Sequence, residues 1–164
     1  MASRREGLGS WLEGTPGDDP SDGTSEAGLA ATGNGSIASV PRRLVAVTAD
    51  WVLSLAVSAA FFPADEPAAL PLLSGDPLAT LGVFAVSTVV LVATLGHTVG
   101  HRLLGIRVVR WAEARSAGSP ARAPGLVAAL VRTVLLALGI PAVVWDRRGR
   151  GMHDVAAGTV PVRR

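Results

Sequence analysis

Asp50 is the residue of this chain most able to do chemistry, because its carboxylate lies within an apolar run. Residues 44–62 contain no other ionisable side chain. A run of this length suits a membrane-spanning helix, which needs about 20 predominantly apolar residues. An aspartate near the centre of such a helix costs roughly 2.5–3.5 kcal/mol to insert, so it ordinarily faces a polar partner or a wet cavity. The sequence therefore predicts a buried partner for Asp50.

Arg132 is the partner that the spacing favours. It follows Pro124 by eight positions, just as Asp50 follows Arg42. At about 1.5 Å per residue, the two charges lie at matching depth if both helices begin at the same membrane surface. Arginine suits a buried pair because it stays protonated. We interpret the pair first as a lock between two helices. The alternative is that Asp50 responds to protons or ions in a transport path.

His97 and His101 are four positions apart, which places them on one face if the segment is helical. Together with the His153-Asp154 dipeptide they would offer metal ligands. Two interspersed glycines weaken helix formation there, however, and the third ligand comes from a segment whose side of the membrane the sequence leaves open. We therefore predict no metal and no cofactor. The histidines are interpreted as interfacial side chains hydrogen-bonded to backbone or lipid phosphate.

The glycines near these histidines are interpreted as points of close helix approach, as small residues are in membranes. They are Gly96, Gly100 and Gly105. A phosphate-binding loop does not fit them, because the chain has no lysine and the strand–loop–helix context is missing. A serine–histidine–aspartate triad does not fit either, since no nucleophile is identifiable beside the histidines. We predict that the protein is not an enzyme.

Composition indicates a membrane protein with polar extensions. Hydrophobic residues make up 49% of the 164 residues and the mean hydropathy is +0.41, yet 17% of the residues are charged. The absence of cysteine excludes disulfides and thiolate chemistry. The arginines flank apolar segments, which is the pattern of membrane topology rather than of nucleic-acid binding. The predicted partner is the lipid bilayer, with no nucleic acid.

The chain divides into a polar tail and a membrane domain. Residues 1–39 are rich in Gly, Ser, Thr, Asp and Pro and cannot bury enough apolar surface to fold, so they are predicted to be a disordered tail. Residues 40–164 are predicted to be the membrane domain, with helices at about 42–62, 77–98 and 124–145. The first apolar run starts too late for a signal peptide and is interpreted as an uncleaved anchor. The predicted fold is all-α, with two transmembrane helices and a third segment that either crosses or re-enters.

Charge asymmetry predicts the orientation. Arg42 and Arg43 precede the first helix, whereas residues 63–77 carry three acids and no basic residue. The following connection, residues 97–125, is rich in arginine. The positive-inside rule therefore places the N-terminus in the cytoplasm, in a bacterial inner membrane. The arginine-rich C-terminus favours a return of the third segment to the same side, but the length of that segment favours a crossing. We favour the crossing, because the arm after Pro141 is short.

The side of the C-terminus decides whether Arg43 meets Asp154. If the third segment crosses, Arg43 has no carboxylate nearby and snorkels to the lipid headgroups. If it returns, Asp154 is the candidate partner of Arg43. Residues 103–110 between the second and third segments are short, with β-branched residues towards their end. They are interpreted as a strand-like piece or an interfacial helix.

These residues, in this order, resemble the RDD family of small bacterial membrane proteins. The family is named for an arginine at the start of its first helix, an aspartate within that helix and a second aspartate near the C-terminus. These positions correspond to Arg43, Asp50 and Asp154. The Gly-His-Thr-Val-Gly stretch from Gly96 and the His-Asp-Val-Ala-Ala-Gly-Thr stretch from His153 also match, and the resemblance covers roughly residues 41–162. In this chain a histidine, residue 101, stands where many relatives carry lysine.

The resemblance implies a fold and a membrane location more than an activity, because transport is suggested for the family but not general to it. We predict a structural or accessory membrane protein whose buried Arg/Asp residues pair its helices. The alternative is a transporter-like subunit that couples proton or ion movement to Asp50. Two or three helices enclose little pathway, so this alternative requires a homo-oligomer or a membrane partner.

Overall fold

A computed structural model describes residues 29–30, 32–65, 68–115, 122–138 and 150–164 of the chain. The predicted disorder of residues 1–28 lies outside the described residues. Within them, most of the chain is helical, and two helices are long and apolar enough to cross a membrane.

The two long helices are α1, Val40–Phe61, and α2, Pro77–Leu95. Each begins with a proline in its first turn, where the missing N–H is not needed. Asp76 caps α2 by accepting a hydrogen bond from the Ala79 backbone N–H at 2.7 Å. The sequence predicted helices at about 42–62 and 77–98. The second ends earlier than predicted because Gly96 takes a left-handed conformation, with φ of 74°, that terminates it.

The connection between α1 and α2 holds them as an antiparallel pair. It contains a 3-10 turn, Pro71–Leu73, and an isolated antiparallel bridge joins Pro63 to Gly75. Between the helices, the ring of Trp51 packs edge-on against Phe84 with centroids 5.2 Å apart. Because the two helices are antiparallel, the start of α1 and the end of α2 lie at the same end of the bundle.

A small sheet lies at this end, which we call the strand end. After α2 come a short helix, α3, Val99–Leu103, a strand, β1, Ile106–Arg110, and a single helical turn, α4, Trp111–Ala114. The strand β2, Thr159–Arg163, pairs with β1 in antiparallel register, with Ile106 opposite Arg163 and Arg110 opposite Thr159. The strand alternative for residues 103–110 is confirmed over Ile106–Arg110, whereas Leu103 ends the preceding helix, and the all-α prediction is wrong here.

The end of the predicted tail joins this sheet. The Gly35 N–H donates to the Arg163 carbonyl at 2.9 Å, the Arg163 N–H donates to the Ser36 carbonyl at 2.8 Å, and the Ala38 N–H donates to the Pro161 carbonyl at 2.9 Å. Predicted disorder is therefore wrong for residues 35–38. The edge of β2 supplies hydrogen-bond partners for the backbone of these residues. The composition of a segment does not reveal whether such a partner is present.

The third apolar segment returns to the strand end instead of crossing. It contains α5, Leu126–Ala137, and is followed by α6, Met152–Ala156. Because β1 precedes this segment, β2 follows it and the two strands are paired, both of its ends lie at the strand end. The predicted crossing is wrong, and the re-entrant alternative is the one that the strand pairing supports. The predicted helix 124–145 is described only to Ala137; Pro141 lies outside the described residues.

The strand β1 joins the helices to the sheet because its side chains alternate between two faces. On one face Val108 packs with Val92 of α2 and Ala129 of α5. On the other face Val109 packs with Val160 and Leu29. The core therefore continues from the membrane-spanning pair into the strand end, where the ionisable side chains of interest lie.

Candidate functional site: a buried polar cluster at the strand end

Asp50 lies at the middle of α1 and is only 8% exposed. Its two carboxylate oxygens face α3, not an arginine. Oδ1 accepts a hydrogen bond from the Gly100 backbone N–H at 2.7 Å, and Oδ2 lies 2.5 Å from the Thr98 hydroxyl. The predicted Asp50–Arg132 pair is wrong. Asp50 contacts the N-terminus of α3 and the Thr98 hydroxyl, where the sequence predicted an arginine.

The segment 96–101 is shaped to bring these donors to Asp50. Thr98 is the N-cap of α3, where its hydroxyl accepts from the His101 N–H at 3.1 Å, and His101 Nδ1 accepts from the Thr98 N–H at 3.4 Å. This reciprocal capping leaves the Gly100 N–H free of an intrahelical partner, as every first-turn N–H is. That N–H is the one that points at Asp50.

Gly100 allows α3 to come this close to α1. A Cβ at this position would fall on the Ala46 carbonyl oxygen and 2.9 Å from Asp50 Oδ2. The predicted close approach is confirmed at Gly100. At Gly96 the approaching group belongs to the strand, since a Cβ would lie 2.9 Å from the Val108 carbonyl oxygen. At Gly105 the interpretation is wrong: the space around it is open, and the residue serves a turn with φ of 63°.

Asp154 is the centre of a second group of charges. It is fully buried, and its Oδ1 lies 2.7 Å from Arg132 Nη1, while its Oδ2 lies 3.9 Å from Arg43 Nη1. The Thr159 hydroxyl donates to Oδ1 at 3.1 Å. Arg43 also donates from Nε to the Ala38 carbonyl at 2.7 Å. The return of the third segment brings Asp154 beneath both arginines, so Arg132 pairs with it and not with Asp50.

The three histidines take separate positions. His153 Nε2 lies 3.4 Å from Asp154 Oδ2, and its ring packs on Gly151, where a Cβ would be 2.6 Å from the ring. His101 is 3% exposed, whereas His97 is half-buried in the turn before α3 with Nδ1 3.3 Å from the Thr98 carbonyl. The four-residue spacing therefore does not put His97 and His101 on one helix face. Within the described ranges, no group of three or more metal-ligating side chains is formed.

His101 links the two groups of charges electrostatically. Burial lowers its pKa well below the ordinary 6.5, and the positive charges of Arg132 and Arg43 lower it further. His97 and His153 act in the same direction. The imidazole at this position is therefore neutral at pH 7. A lysine here would bring a third buried cation.

The strand end also contains contacts that the sequence did not predict. The Arg150 guanidinium stacks over the Trp111 ring at 4.1 Å from its centroid, and Arg115 lies 5.8 Å from it. Arg110 donates from Nε to the Pro124 carbonyl at 3.0 Å. The only sequence signal for these contacts is a tryptophan directly after β1, and its partners come from distant segments. These contacts hold α4 and the residues just before α5 against the sheet.

The comparisons with known proteins identify the family. The family model described as RDD family matches residues 37–158, well over half of the chain. Neither the search of curated proteins nor that of solved structures finds a match. The matched range includes Arg43, Asp50 and Asp154, the three residues that the resemblance singled out, and all three are buried. The chain belongs to the RDD family.

Proposed function

We propose that this chain is an integral membrane domain with a structural or accessory role, closed at its strand end by a buried Arg43–Asp154–Arg132 cluster. The observation that carries the proposal is the position of Asp154. It is fully buried on α6 between an arginine of α1 and an arginine of α5. One carboxylate thus ties the first membrane-spanning helix to the re-entrant segment.

The energetics suit a role in holding the fold together. Breaking a buried ion pair by removing one partner costs about 3–5 kcal/mol, because an uncompensated charge is left behind. That is a large part of the roughly 5–15 kcal/mol by which a native protein is stable. The remaining face of the bundle is apolar and contacts lipid. Nothing in the proposed role requires a catalysed reaction, a metal or a cofactor.

The test is Asp154→Asn, compared with Asp65→Asn as a matched control. Asp65 is an exposed carboxylate in the connection between α1 and α2. We expect Asp154→Asn to lower the yield of membrane-inserted protein and to destabilise the purified protein by about 3–5 kcal/mol in detergent. The control should change stability by no more than about 0.5 kcal/mol. Equal melting temperatures for both variants would show that the cluster does not hold the fold.

The proposed setting is a bacterial inner membrane with the strand end in the cytoplasm. The arginines exposed at the strand end support this orientation, because arginine-rich connections are retained on the cytoplasmic side. They include Arg102, Arg110, Arg115, Arg122 and Arg164. We assign them to contacts with lipid headgroups rather than with nucleic acid.

A second candidate function is a transporter-like subunit in which Asp50 responds to protons or ions. The observation that favours it is the identity of the groups around the carboxylate: a hydroxyl and a backbone N–H contact it, whereas Asp154 is matched by arginines. A carboxylate without a permanent counter-charge beside it can change its protonation state at lower cost. Two spanning helices enclose little pathway, so this function requires a homo-oligomer or a membrane partner.

Asp50→Asn separates the two candidates. If Asp50 only holds α1 against α3, the variant inserts poorly or loses stability. If Asp50 serves transport, the variant inserts normally, and vesicles containing it lose the proton or ion flux of the wild-type protein. Normal flux from a normally inserted variant would exclude the transport role.

A further inference from the structure

One hydroxyl group in the cluster lies within hydrogen-bonding distance of two acceptors. Thr98 Oγ1 is 2.5 Å from Asp50 Oδ2 and 2.7 Å from His101 Nδ1. Thr98 and His101 are 2% and 3% exposed. A threonine hydroxyl carries a single hydrogen, so it can fill only one of these contacts. The other contact needs a hydrogen from the Asp50 carboxyl group or from His101 Nδ1.

The surrounding backbone indicates which group supplies it. The Thr98 N–H points at His101 Nδ1 at 3.4 Å, which makes that nitrogen an acceptor. The His101 N–H donates to Thr98 Oγ1 at 3.1 Å, so the hydroxyl oxygen already accepts one bond. The Thr98 hydrogen then points to Nδ1, and the hydrogen between the two oxygens belongs to Asp50. Two oxygens at 2.5 Å with no hydrogen between them would repel each other.

We propose that Asp50, Thr98 and His101 form a buried proton-binding site that holds one proton on the Asp50 carboxyl group and relays it through the Thr98 hydroxyl to His101. In the relay, the Asp50 Oδ2–H bond breaks as a new Thr98 Oγ1–H bond forms. The original Thr98 O–H bond breaks as an Nδ1–H bond forms on His101. The products are a carboxylate and an imidazolium, and no other reactant is consumed.

The charges around His101 keep the proton at the aspartate end. The groups that face the imidazole are Arg43 of α1, Arg132 of α5, His153 of α6 and His97 in the turn before α3. Together with burial, they lower the pKa of His101 well below its ordinary range. An imidazolium at this position is therefore a short-lived state. This site goes beyond the proposed structural role, and it binds a proton whether or not the protein moves ions.

The site has a signature that a purely structural cluster would not show. When Asp50 loses its proton to solvent, the Thr98 hydrogen turns to the carboxylate. The contact between Thr98 Oγ1 and His101 Nδ1 then needs a hydrogen from the imidazole. Neutral His101 therefore changes tautomer, from a proton on Nε2 to a proton on Nδ1, at the pH at which Asp50 ionises.

Nitrogen NMR of the ¹⁵N-histidine-labelled, full-length protein in detergent measures this tautomer across pH. The chain has only three histidines, and His101→Gln assigns the relevant signals. Infrared difference spectra against Asp50→Asn follow the carboxylic-acid band of Asp50 in parallel. We expect the Asp50 band to disappear and the His101 tautomer to change at the same pH. Thr98→Val should abolish this coupling, whereas Thr98→Ser, which keeps the hydroxyl, should retain it.

Two results would overturn the site: His101 keeping one tautomer while the Asp50 band disappears, or Thr98→Val behaving like the wild type. If Thr98→Val does not fold, Asp50→Asn decides, because the tautomer change must vanish when residue 50 cannot titrate. A tautomer change that persists in Asp50→Asn contradicts the proposal. These readouts measure proton binding, and so they are independent of ion flux and of the stability tests of the structural role.

Discussion

At the residue scale, the two aspartates of the family signature have different environments. Asp154 pairs with Arg132 at 2.7 Å, whereas Asp50 accepts a hydrogen bond from the Gly100 N–H and lies 2.5 Å from the Thr98 hydroxyl oxygen. Spacing alone assigned Arg132 to the wrong aspartate. Depth in the membrane is a one-dimensional measure, and two groups at equal depth can point to different neighbours. Here Asp50 faces α3, whereas Arg132 faces Asp154 on α6.

Gly100 is the residue whose size this arrangement depends on most. We expect Gly100→Ala to destabilise the protein by about 1–3 kcal/mol, because the added methyl group would push α3 away from the Ala46 carbonyl and from Asp50. Gly82→Ala is the matched control: Gly82 lies in α2 with open space around its Cβ position. It should be neutral or slightly stabilising. Thermal unfolding of both variants in detergent measures the difference, and similar losses would contradict a tight contact at Gly100.

At the element scale, the strands determine the topology. The pairing of β1 with β2 brings the C-terminus back to the end of the bundle at which α1 begins. Length favoured a crossing for the third segment and charge favoured a return. Charge was the better guide here, because five arginines after the segment are costly to translocate. The hydrogen bonds of residues 35–38 to β2 add a second backbone link at this end.

Cysteine labelling tests this topology without background, since the chain has no cysteine of its own. We expect Arg164→Cys and Arg102→Cys to react with a membrane-impermeant thiol reagent from one side. Ala69→Cys, in the connection between α1 and α2, should react from the opposite side. All three positions are exposed in the fold. Labelling of Arg164→Cys together with Ala69→Cys would show that the third segment crosses.

At the scale of the whole molecule, the buried ionisable side chains of the described residues lie in the half of the bundle that includes the strand end. That end contains a neutral buried histidine beside two arginines, so the stability of the molecule must depend on pH. The pKa of His101 is lowered in the fold. Below the unfolded value of about 6.5, the unfolded chain binds a proton that the native state excludes. Stability contributed by His101 is therefore complete above that pH and decreases as the pH falls below it.

The measurement is the melting temperature in detergent as a function of pH. We expect a decrease as the pH is lowered from 6.5, and a shallower decrease in His101→Gln, which has no imidazole to protonate. Asp65→Asn should follow the wild-type curve, because its side chain is exposed and far from the strand end. Identical curves for wild type and His101→Gln would exclude this contribution.

The sequence by itself determined the membrane-spanning pair, the family and the three signature residues. Uninterrupted apolar length and charge asymmetry are properties of consecutive residues, and the bilayer acts on them directly. Only the tertiary structure decided which charges meet. Asp154 reaches Arg132 and Arg43 because two distant strands pair, and Asp50 reaches Thr98 because Gly100 lets α3 touch α1. Such contacts depend on hydrogen bonds and packing between segments far apart in the chain, and they cannot be predicted from residue spacing.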